Sequence, residues 1–153
     1  MRRTCLVTLS VLFLLLVSLV PAGAETINKS VKFQMGDWID VDLEDGPATV
    51  HRMRIIRDDG GFTKSKFFRP GNDEYLETIQ IQIEYSNSST RDWEADIEIE
   101  WVDSKGRAID GYNDTEEMDD RERRDLMTVT LSTLSYGLAQ AQKINIRLEI
   151  YPD

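Results

Sequence analysis

Three stretches of this chain alternate apolar and polar side chains with a period of two, the pattern of a half-buried strand. Ile79, Ile81, Ile83 and Tyr85 oppose Gln80, Gln82 and Glu84; Trp93, Ala95, Ile97, Ile99 and Trp101 oppose Glu94, Asp96, Glu98 and Glu100; Ile144, Ile146, Leu148 and Ile150 oppose Asn145, Arg147 and Glu149. Each buries one face and wets the other, as antiparallel strands of a two-layer sandwich do. Met127, Val129 and Leu131 form a fourth, shorter alternation.

Further strands follow from weaker signals. In "WIDVDL", Ile39, Val41 and Leu43 face one way and Asp40 and Asp42 the other, and Asp45-Gly46-Pro47 ends the run because Pro has no N–H for a ladder. "TVHRMRII" is a second candidate strand, closed by Asp58-Asp59-Gly60-Gly61. Residues 25–37, with Val31 and Phe33, read as a mobile or short-strand lead-in, and residues 62–75 as a loop or irregular edge strand. "SNSST" and "DSKG" mark turns. "STLSYGLAQAQK" places Leu134, Leu138 and Ala141 at helical spacing, but Gly137 limits it to one or two turns. The pattern predicts an all-β, immunoglobulin-like antiparallel β-sandwich of about seven strands, folded as a single domain over residues 25–153.

The segment before that domain has a different physics. Arg2 and Arg3 precede an apolar stretch from about Cys5 to Val20, and Pro21-Ala22-Gly23-Ala24 supplies small residues at a cleavage position. Residues 1–24 therefore read as a secretory signal peptide, too short in its apolar part to span a bilayer, which predicts a periplasmic or secreted protein without membrane insertion after cleavage. The single cysteine, Cys5, falls inside that segment, so the exported part has no thiol and rests on its own core. Without Arg2 and Arg3, sixteen basic residues stand against 28 acidic ones, a formal charge of −12. That field repels nucleic acid and anionic lipid and suits a cationic partner.

At "IEIEWVDSKGRAIDGYN" the chain resembles the small immunoglobulin-like modules of bacterial envelope proteins of the FxLYD type, in which a strand ending in an aromatic is followed by Asp, a short turn and Gly; here these are Trp101, Asp103 and Gly106. "IQIQIEYSNSS" is similar to the strand and Asn-containing turn of those modules, and the resemblance spans roughly residues 76–151. It implies a fold and an envelope address and no catalytic residue; sandwich patterning without catalytic equipment makes another envelope or extracellular protein the expected partner. The chain departs from the pattern in lacking a lipidated cysteine and in carrying a long acidic insert after Tyr112.

Candidate chemistry is sparse. Asp110, Asn113, Asp114, Glu116, Glu117, Asp119 and Asp120 offer oxygens suited to calcium, but not at the alternate positions of a calcium loop, and Arg121, Arg123 and Arg124 offset part of the charge. The run is expected to be a solvated loop. "DVDLEDG" resembles an EF-hand loop only in part: its Gly is one position late and His51 stands where a bidentate Glu belongs. His51 is the only histidine, no G-x-S-x-G motif accompanies it, and a partly buried structural role is expected. Zinc has no ligand set and no cofactor is expected. Trp101 is expected in the core, whereas Trp38, Trp93 and Tyr136, near segment ends, are candidates for the rim of a binding site. These readings favour a non-enzymatic interaction or structural module, with a ligand-binding domain for calcium or carbohydrate as the alternative.

Overall fold

The computed structural model describes residues 24–58 and 76–153; all but the last residue of the expected signal peptide, most of the 58–61 turn and the 62–75 stretch lie outside the described residues. The elements run β1 (Glu25–Lys32), β2 (Ile39–Asp45), β3 (Ala48–Arg57), β4 (Leu76–Asn87), β5 (Trp93–Val102), β6 (Ala108–Met118), β7 (Glu122–Leu134), α1 (Ser135–Gln140) and β8 (Lys143–Pro152). They form two four-stranded antiparallel sheets, ordered β1-β8-β5-β6 and β2-β3-β4-β7. The chain is an all-β sandwich. No helix among the described residues is long and apolar enough to cross a membrane.

Alternation becomes packing directly. Ile79, Ile81, Ile83 and Tyr85 of β4 face Ile97, Ile99 and Trp101 of β5 and Ile144, Ile146, Leu148 and Ile150 of β8 across one buried core. Successive side chains of a strand take opposite faces, so their polar neighbours emerge on the two outer surfaces. Trp101 is fully buried, and its Nε1 donates across the sandwich to Thr133 Oγ1 of β7 at 3.2 Å. Thr133 in turn donates to Asp110 Oδ2 of β6 at 2.5 Å.

The expected β2–β3 and β5–β6 turns are present. Gly46, at φ +53°, starts the β2–β3 turn, and Gly106, at φ +78°, closes the β5–β6 turn. Asp103 organises the latter: its Oδ1 accepts from Lys105 N and Arg107 N, and its Oδ2 from Arg107 Nε at 2.8 Å. The backbone and side-chain donors of Arg107 hold the Asp103 carboxyl below its ordinary value. α1 has six residues, within the one or two turns that Gly137 allows.

One open reading is decided in favour of a strand, and one expectation changes. The lead-in is an eight-residue strand, β1, paired along its whole length with β8 from Glu25↔Ile150 to Lys32↔Lys143. The acidic run is likewise a strand and not a loop: β6 pairs with β5 from Trp93↔Met118 to Val102↔Ala108. It brings the strands among the described residues to eight. Its ladder to β5 is made by the backbone, and an edge strand buries little on its own account, so acidic side chains are admissible there.

Candidate functional site

The three rim aromatics do not form one site. Trp93 belongs to the core, 6% exposed, with its ring against the β2–β3 turn at Gly46; it shares the inward parity of β5, and its place at the strand start does not expose it. Trp38 lies before β2 on the outer face of β2-β3-β4-β7, its ring under two guanidinium groups, Arg52 at 4.3 Å and Arg54 at 4.4 Å. Tyr136 is on α1, beyond the opposite edge of that sheet, and is 61% exposed.

The calcium candidates are also spread apart. Asp110, Asp114 and Glu116 sit opposite Trp101, Ile97 and Ala95 on the inward row of β6, while Asn113 opposes Glu98 on the outward row. Asp110 is engaged by Thr133 and by the Leu134 N–H, Glu116 accepts from Tyr112 Oη at 2.5 Å, and Asp120 is 3.5 Å from Arg121 Nε. Burial, with Glu116 beside it, pushes the Tyr112 phenol up. Of the run, Glu117 and Asp119 instead converge with Asp92, from the β4–β5 turn, their carboxylate oxygens within 4.8 Å of one another.

This convergence has a measurable cost. The Asp92 charge, then partial desolvation and the charges of Asp119 and Asp153, push the Glu117 carboxyl up. A carboxyl raised in the folded state opposes folding once ionised; the penalty is complete above the folded-state pKa and disappears as pH falls through it. Glu117→Gln should therefore melt higher than wild type at pH 7, with the gain shrinking to nothing in acid. An equal gain at both pH values would show that charge is not the cause.

His51 occupies a register irregularity between Val50 and Arg52. Its Nε2 lies 2.8 Å from Ser86 Oγ, which also accepts from Arg124 N at 3.0 Å. No carboxylate hydrogen-bonds His51 among the described residues, so a Ser–His–carboxylate relay lacks its third member there. Beside it, Glu84 receives Arg52 at 2.9 Å and Arg124 at 2.6 Å, and the hydrogen bond from Arg52 lowers its pKa. This network ties the outer faces of β3, β4 and β7 together.

The sheet edges differ more sharply than the faces. An edge strand offers unpaired N–H and C=O groups to other chains, and charges, bulges or short length normally blunt it. On β1, inward-facing Lys29 donates to the Asp40 carbonyl at 2.5 Å. β2 has seven residues, four of them acidic, and a bulge where Asp42 takes φ +53°. β6 turns Asp110, Asp114 and Glu116 inward. β7 carries no such device of its own from Leu126 to Leu134, and Asp110 of β6 reaches only its last N–H: the stretch is uncharged and rich in β-branched residues.

β7 is also incompletely covered. Its inward Met127, Val129 and Leu131 remain half-buried, whereas Val41 and Leu43, inward on the opposite edge strand of the same sheet, are 3% and 4% exposed. Leu126 and Leu134, on its outward row, are 42% and 39% exposed. Sequence reading missed this edge, although a signal was there: residues 126–142 hold no charged side chain in a chain that is 30% charged. No protein-family model matches this chain, and a search of curated proteins finds no match.

Proposed function

We propose that this protein is an exported, non-enzymatic immunoglobulin-like module that binds protein in the cell envelope by strand addition to β7. The observation that carries this reading is the contrast among the four edges, three of them guarded by charge and one left uncharged over nine residues, Leu126 to Leu134. Main-chain hydrogen bonds supply affinity in strand addition, and alternate side-chain positions supply selectivity. The half-buried Met127, Val129 and Leu131 would gain cover from an added strand. The signal-like leader and the resemblance to envelope modules support the compartment.

The test is a comparison of the purified protein with Thr130→Lys, which installs the kind of charge that guards natural edges. Thr130 is exposed, so the variant should melt within a few degrees of wild type. Proteins retained by wild type from an envelope extract of the source organism should be lost by the variant. Equal retention by both would sink the reading.

A further inference from the structure

We infer that the strand added to β7 is β7 of a second copy of this chain, antiparallel about a two-fold axis at Thr130. This rests on the edge-docking reading above and names its partner.

The first argument is which backbone groups are free. Asp58 N donates to Thr78 O at 3.0 Å, so the even residues of β4 direct their backbone groups toward β3. Odd residues of β4 then bond β7, and through Ile81↔Val129 and Ile83↔Met127 it is the odd residues of β7 that answer them. The even residues of β7 point outward along the edge; Leu134 N, bonded to Asp110 Oδ2 at 3.3 Å, confirms that direction. Thr128, Thr130 and Ser132 are exposed, and no strand among the described residues pairs with their N–H and C=O on that side.

The second argument is self-complementarity. A two-fold axis demands that the same patch fit itself. Centred on Thr130, even residues oppose even residues, as hydrogen-bonded pairs require: Thr130 meets Thr130, Thr128 meets Ser132, and Leu126 meets Leu134. The outward row thus reads Leu, Thr, Thr, Ser, Leu, nearly the same in both directions, and pairs the two exposed leucines of the strand with each other. Inward, Val129 meets Leu131. The charged residues Glu122, Arg123, Arg124 and Asp125 fall opposite positions 135–138, which carry no charge, so no like charges collide. With Leu134 N held by Asp110, the ladder centres on residues 128–132, and the two sheets join into one of eight strands. The formal charge of −12 from Glu25 onward opposes association, so salt should strengthen it.

Sedimentation of the purified protein should show a monomer–dimer equilibrium that shifts toward dimer with concentration and with added NaCl, and Thr130→Lys should sediment as monomer under all these conditions. A gain-of-signal variant fixes the register. Paired Cα atoms of a hydrogen-bonded antiparallel pair lie about 5.5 Å apart, within disulfide reach. Thr130→Cys should form a disulfide-linked dimer on mild oxidation, in a chain whose only native cysteine is Cys5. Thr128→Cys should not, because its copies would stand about 14 Å apart along the strands. Equal cross-linking at 128 and 130, or a monomer at every concentration, would overturn the inference. A monomer that still loses its envelope partners on Thr130→Lys would overturn self-pairing and leave the edge reading standing; a monomer indifferent to that substitution would overturn both.

Discussion

Trp101→Ala should lower the unfolding free energy by roughly 3–5 kcal/mol, the range for removing a large buried aromatic. The ring is fully buried between the sheets, and its Nε1 anchors Thr133 of β7, so the substitution empties the middle of the core and removes a polar tie between the layers. Glu100→Ala, one residue away, should stay within about 0.5 kcal/mol, because Glu100 lies on the outward row and its one side-chain hydrogen bond among the described residues comes from Asn145 Nδ2 at 3.3 Å. Urea midpoints of the two variants and wild type, at constant slope, are the measurement. Equal losses at the two positions would mean that the facing of β5 is wrong.

The second large effect is expected at Asn87, which is completely buried and has every described contact spoken for. Its Nδ2 donates to Arg91 O at 2.9 Å and to Met118 O at 3.0 Å; its Oδ1 accepts from Ser89 N and from Ser89 Oγ. One side chain thereby closes the β4–β5 turn and pins the end of β6 to it. Asn87→Asp keeps the shape and the acceptors but sets a carboxylate against two carbonyl oxygens. The loss at neutral pH should be about 3 kcal/mol or more, as for a buried charge left without a partner. It should ease in acid, because a carboxyl whose folded pKa is raised stops opposing folding once protonated. A variant as stable as wild type at pH 7 would show that the turn repacks without this amide.

The legibility of the fold varied with how much each strand buries. β4, β5 and β8 are central or carry a fully inward apolar row, and there the alternation of isoleucines named both the strand and its facing. β6 left no such trace. Its inward positions are Asp110, Tyr112, Asp114, Glu116 and Met118, and at a sheet edge the backbone ladder to β5 holds the strand without an apolar row. Composition consequently read as loop what pairing made into strand. Trp93 was misjudged for the converse reason: its parity with Ala95 and Ile97 was the better guide than its place at a segment end. That β7 is an edge among the described strands depends on which strands it does not neighbour, and that is fixed by long-range topology. Only the uncharged run from 126 to 142 hinted at it.

The placement of β8 sets the order in which this protein can acquire structure. β8 comes last of the strands along the chain yet lies inside its sheet, with β1 on one side and β5 on the other. Until residues 143–152 arrive, β1 has no strand to pair with among the described residues, and it waits for contacts as distant as Glu25 with Ile150. Contacts of such separation make folding slow, since loop closure must precede any reward. β2, β3 and β4, joined as successive neighbours, can assemble as an early meander, whereas in the other sheet only the β5–β6 hairpin is local and β1 and β8 join late. One sheet thus has a meander of neighbours close in sequence, while the other depends on a strand far along the chain from its first.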